Sequence, residues 1–104
     1  MTGRYERQHE LWEEIKKLEY DPDHGVGRLI GRLDWLFWNL EQEGYLVQET
    51  ERRWYLVYSL SEHLRQITFQ LWDESEGHIS YLEMCRQLLH LEWGPDEFEE
   101  NPNL

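Results

Sequence analysis

Cysteine is all but missing from this chain: Cys85 stands alone among 104 residues. One thiol excludes an intrachain disulfide and any cysteine-built metal cluster, and it fits a reducing compartment. Long apolar runs are missing too. No aromatic-aliphatic block, Trp35 to Trp38 and Trp54 to Tyr58 included, approaches the ~18 to 20 residues of a membrane span, so no membrane role is expected. Proline occurs three times, which leaves long stretches free to form helix. Basic residues are scarce, with ten Lys and Arg against 22 Asp and Glu and a formal charge of −12. The opening MTGRYERQHELWEE is charged throughout and lacks the apolar core of a signal peptide, so a cytoplasmic protein is expected.

What is present is aromatic and acidic. Six Trp and six Tyr bring large buried area per residue to a chain long enough for one core. The acidic excess sits toward the C-terminus. Residues 73–104 carry Asp73, Glu74, Glu76, Glu83, Glu92, Asp96, Glu97, Glu99 and Glu100 against Arg86 alone, whereas residues 1–72 hold thirteen acids and nine bases. Such a surface repels phosphates and anionic headgroups and attracts basic partners; simple solubility is the plainer explanation of the same charges.

The clearest helical signal begins at Gly27. Leu29, Ile30, Leu33, Leu36, Phe37 and Leu40 repeat at the spacing of one helix face, and Gly44 stands where a left-handed C-terminal cap belongs. An earlier helix is expected over 4–19, with Leu11, Trp12, Ile15 and Leu18 inward. YDPDHGVG then breaks it. Asp21 and Asp23 before Gly25 resemble the start of a calcium loop, but Arg32 stands where a bidentate Glu is required. Gly25, Gly27 and Gly31 resemble a phosphate loop, yet they follow a helix instead of a strand. A linker is the simpler reading of both.

Residues 45–72 admit two readings. Trp54, Leu56, Tyr58 and Leu60 alternate, which fits a β-hairpin over 45–58, with a capping box Ser59-Leu-Ser-Glu62 starting a fresh helix. Alternatively Val57, Leu60, Leu64, Ile67 and Leu71 keep heptad spacing along one helix from Thr50 to Trp72. A last helix is expected from about Ile79 to Trp93, with Ile79, Leu82, Leu88, Leu89 and Cys85 inward, ended by Gly94-Pro95. The fold class is therefore mainly α: a small single-domain bundle of about four helices over residues 1–94, with a β-hairpin at 45–58 left open. Residues 95–104 read as a short acidic, disordered tail around Phe98.

Under the hairpin reading, residues 28–61 resemble the recognition helix and wing of winged helix-turn-helix domains. The matching residues are Ile30, Leu33, Leu36 and Leu40, then LEQEGYL (40–46), then RRWYLVYSLS (52–61) with its basic tip. The resemblance implies duplex DNA as ligand, with Arg28, Arg32, Arg52 and Arg53 on phosphates. Only one helix precedes this one, and Asp34, Glu41 and Glu43 offset its two arginines, so nucleic acid ranks second among partners.

Catalytic patterns are sparse. The five histidines show no H-x-H or H-E-x-x-H spacing, so neither a metal nor another cofactor is expected. Cys85 lies on an apolar helix face, where a structural thiol is the simpler reading. The expectation is a non-enzymatic protein that engages a basic, nucleic-acid-binding type of partner as an inhibitor or DNA mimic, an immunity protein or an adaptor. Its contact residues would be the acids Asp73, Glu74, Glu76, Glu83, Asp96, Glu97, Glu99 and Glu100, joined by an aromatic patch of Trp35, Trp38, Trp54, Tyr55, Tyr58 and Trp72. A homodimer through the face of residues 57–71 fits as well.

Overall fold

A computed structural model describes residues 3–93 of the chain. They form five helices and no strand: α1 (Gly3–Lys17), α2 (Gly25–Gln42), α3 (Glu49–Ser59), α4 (Glu62–Glu74) and α5 (Tyr81–Trp93). The expected residues 95–104 tail lies outside the described residues.

Helix α2 is the axis of the bundle. Leu29, Ile30, Leu33, Leu36, Phe37 and Leu40 are all buried, as their spacing predicts, and each such burial is worth roughly 1.5–3 kcal/mol. Around α2 pack α1, α3 and α5. Trp12 of α1 meets Tyr45 edge-on at 5.3 Å and Tyr55 of α3 at 5.1 Å. Helix α5 turns Tyr81, Met84, Cys85 and Leu88 inward. That i, i+3, i+4, i+7 face leaves Leu82 about 100° off the stripe, and Leu82 is exposed instead of inward.

The stretch 45–74 corrects both sequence readings. There is no hairpin at 45–58, hence no wing, and the winged-helix resemblance does not hold. Nor is there one long helix from Thr50. Two helices meet at Leu60 and Ser61, whose backbones are both extended (ψ 158° and 164°), so the bundle has five helices instead of about four. The period-2 pattern misled because every second step of an alternation is also i, i+4. As a helix, α3 sends Leu56 and Val57 inward and leaves Trp54 and Tyr58 outward, one turn apart. The start of α3 is fixed by Glu51, whose carboxylate accepts the Gln48 amide at 2.9 Å. The break before α4 is fixed by Ser61, whose hydroxyl accepts the Leu64 amide at 3.4 Å, and by Leu60, which is buried in the core. The cap is therefore Ser61; Ser59 bonds back to the Leu56 carbonyl.

Four helix ends are closed by side chains from other helices. The Glu92 carboxylate, in the last turn of α5, accepts the Val26 amide at 2.6 Å and the Gly27 amide at 3.4 Å, capping α2. This answers the phosphate-loop pattern: the anion at these glycines belongs to the chain itself. Gly25 has φ +86°, which favours glycine, and a Cβ there would lie 2.7 Å from a Glu92 oxygen and push the capping carboxylate aside. At the other end of α2, Gly44 and Tyr45 bond to Glu41 and Leu40 carbonyls in a Schellman arrangement, and Gln8 of α1 donates to the Glu43 carbonyl. Glu49 of α3 accepts the Tyr81 amide at 2.7 Å, capping α5. Arg65 of α4 donates to the carbonyls of Val57, Tyr58 and Leu60, closing α3.

Candidate functional site

The end of α4 breaks that pattern. Its last turn contains Asp73 and Glu74 and no basic residue, so carboxylates stand at the partly negative end of the helix dipole. The turn that follows repeats the Schellman bonds, with Gly77 on the Trp72 carbonyl and Glu76 on that of Asp73. Here the left-handed position is held by Glu76 at φ 56°, a conformation that costs a non-glycine residue roughly 1–2 kcal/mol. Asp73, Glu74 and Glu76 are all exposed. Glu74 accepts from Gln70, while Glu83 is engaged by Arg86 and Gln87. Glu62, at the start of α4, is also exposed. Among the described residues Glu62, Asp73 and Glu76 make no ion pair. Asp96, Glu97, Glu99 and Glu100 lie outside the described residues.

Helix α4 is also the least buried. Only Thr68 is fully enclosed, its hydroxyl bonded back to the Arg65 carbonyl at 2.7 Å. Leu64 and Leu71 pack partly against the core. Phe69 and Trp72 stay 49% and 37% exposed, facing a cleft shared with Trp54 (58%) and Val57 of α3. The cleft encloses about 340 Å³, is open to solvent, and has Thr68 and Met84 in its lining. Two of its aromatics, Trp54 and Trp72, are held in place. Trp54 and Tyr58 stack at 5.7 Å with an interplanar angle of 21°. Trp72 lies under the Arg53 guanidinium at 5.0 Å and against the backbone of Gly77.

The six aromatics expected to share one patch divide between places. Trp54, Tyr58 and Trp72 belong to the α3–α4 region. Tyr55 packs inward on Trp12. Trp35 and Trp38 are exposed on α2, Trp35 beneath the Arg32 guanidinium at 4.7 Å. Phe69 and Met84 were missed from the sequence. Phe69 breaks the Leu64, Ile67, Leu71 spacing, and that irregularity is the available signal that it faces away from the core.

The four arginines assigned to DNA are dispersed. Arg32 pairs with Glu14 at 2.7 Å and Arg52 with Glu41 at 2.7 Å. Arg53 donates to the Ile79 carbonyl at 3.0 Å. Arg28 lies exposed beside the α1–α2 turn. There the Asp23 amide and then His24 hold the Asp21 carboxyl below its ordinary range.

Among the described residues two titratable groups, Tyr81 and Cys85, are enclosed. Burial pushes the Cys85 thiol up to about 12, which suppresses the thiolate a nucleophile needs. Burial also raises Tyr81, whose hydroxyl donates to Asp34 at 2.6 Å. Among the described residues no group of three or more His, Cys, Asp or Glu converges in a way that could hold a metal ion. No helix among them is long and apolar enough to cross a membrane. Comparison with protein-family models, with curated proteins and with solved structures returns no match.

Proposed function

We propose that this protein is a small acidic, non-enzymatic interaction protein that engages a basic partner through the α3–α4 face, acting as an inhibitor, an immunity protein or an adaptor in the cytoplasm. The observation that carries the reading is the adjacency on one helix of exposed aromatics and carboxylates without ion-pair partners. Trp and Tyr are favoured at association surfaces because they contribute large area at small entropic cost. The carboxylates speed encounter with a cationic surface and select against anionic ones. Residues 33–93 carry eleven acids against four arginines. All four are turned onto the protein's own carbonyls or carboxylates: Arg52, Arg53, Arg65 and Arg86. The exposed charge of this half is therefore more uniformly negative than composition implies.

Titration with a panel of small basic nucleic-acid-binding proteins, followed by fluorescence at low and high salt, tests this. The expected outcome is association that weakens steeply as salt rises, since exposed charges are screened over about 8–10 Å near physiological ionic strength. An absence of association across the panel, or complexes indifferent to salt, would contradict it.

A further inference from the structure

Resting on that reading and going one step further, we infer that the α3–α4 cleft takes an amphipathic helix of the partner, with apolar anchors on one face and Lys or Arg at both ends of that face. The shape comes first. The cleft lies between two helices, with its lining residues Trp54 and Val57 nearly one turn apart on α3 and Phe69 and Trp72 likewise on α4. A helix offers side chains at the matching i, i+3, i+4, i+7 intervals. Among the described residues there is no strand, hence no sheet edge to which an extended peptide could add.

Charge fixes the sign of the occupant. Helical periodicity places Glu62, Phe69 and Asp73 along one line of α4, at i, i+7 and i+11. Exposed carboxylates therefore bracket the aromatic segment. The cation nearest the cleft, Arg53, is already engaged by the Ile79 carbonyl and the Trp72 ring. Arg65, on α4, is committed to the carbonyls of Val57, Tyr58 and Leu60. An acidic segment would find repulsion at both ends and no available guanidinium between them. A basic segment would find two carboxylates, one of them at a helix end where a cation is favoured by the dipole as well.

The same geometry disfavours a second copy of this chain. Laid antiparallel, two α4 helices bring Glu62 against Asp73; laid parallel, they bring like residue against like. Either way carboxylates meet. The bracket also sets a ruler. Glu62 and Asp73 are separated by roughly 16 Å along the axis, so the partner helix needs cations about 11 positions apart.

The probe is a designed amphipathic peptide of about 18 residues with a Leu and Phe seam and Lys placed about 11 apart. It is compared with a version carrying Glu at the Lys positions and a version broken by a central Pro. Affinity is read by anisotropy of a label on the peptide, and its location by amide shifts of the full chain. The Lys helix should bind, with shifts concentrated on residues 54–58 and 66–76. The Glu version, the Pro-broken version and Phe69→Ala should each weaken binding at least roughly tenfold. Phe69 is half exposed, so its truncation leaves the fold intact, and the shift map gives a reading that needs no variant. Salt-sensitive binding of the Lys peptide that ignores both the Pro break and Phe69→Ala overturns the helix-in-cleft inference while leaving the proposed function standing. No binding by any cationic probe overturns both. Self-association of the chain relieved by Phe69→Ala would assign the face to a second copy and overturn the inference.

Discussion

Helices α2 and α4 are both amphipathic, and they are finished in opposite ways. The apolar side chains of α2 disappear into the core, and its two ends are closed by Glu92 of α5 and by Gly44 with Gln8. Helix α4 encloses only Thr68, leaves Phe69 and Trp72 in solvent, and ends in acids with a non-glycine residue at the left-handed position. Stability in this molecule is therefore concentrated where α1, α3 and α5 wrap α2. Helix α4 is held at its start and along one edge, and it presents its surplus apolar and negative surface outward.

The largest expected effect separates the two helices directly. Phe37→Ala in α2 removes a fully buried ring and should lower unfolding free energy by about 3–5 kcal/mol. Phe69→Ala in α4 should lower it by less than about 1 kcal/mol. Chemical denaturation of both variants measures the contrast, and near-equal losses would erase it.

The next effect comes with alkaline pH. The unfolded chain begins to lose the Cys85 proton near 9.0, whereas the folded thiol holds it to about 12; Tyr81 is raised in the same sense. A group whose folded pKa is raised contributes stability that is complete below the unfolded pKa and disappears as pH climbs toward the folded one. Urea unfolding should therefore show stability steady from pH 6 to 8 and falling above about pH 9, by roughly 1.4 kcal/mol per pH unit for each proton involved. Cys85→Ala and Tyr81→Phe should each flatten the slope.

Smaller still is the cap between helices. Glu92→Ala leaves the Val26 and Gly27 amides without their acceptor and should cost about 1–2 kcal/mol. The loss should appear first as faster amide exchange at the start of α2. At the bottom of the scale, and opposite in sign, Glu76→Gly should stabilise the protein by about 1 kcal/mol through relief of the left-handed backbone at φ 56°. Thermal unfolding reads it, and a destabilised variant would mean that Glu76 makes a contact the fold relies on.

The central helix was legible in the sequence because it obeys local rules: a 3.6-residue apolar period and a glycine cap. Helices α1 and α5 were legible for the same reason, within two residues at most of their bounds. The 45–74 segment was not, because Trp54, Leu56, Tyr58 and Leu60 satisfy both a strand alternation and a helix spacing. The decision lies in two local contacts, Glu51 reaching back to Gln48 and Arg65 gathering the carbonyls at the end of α3; Gln48 is not one of the residue types that usually mark a helix start. The capping roles of Glu92, Glu49 and Gln8 are invisible for a different reason, since each acts on a helix distant in sequence. For the candidate site, the acids at 73–76 and the aromatics Trp54, Tyr58 and Trp72 could be named from composition. Their separation from Tyr55, Trp35 and Trp38, and the part of Phe69, follow from how α3 and α4 turn about their axes.

The most direct test of the whole account is the variant Asp73→Lys, examined for stability and for association with the cationic amphipathic peptide. If α4 ends in acids for the sake of a partner, reversing this charge complements the helix dipole, so stability should rise by about 0.3–1 kcal/mol while peptide affinity falls at least roughly tenfold. A variant that is less stable than the parent, or that holds the peptide as tightly, would contradict the account.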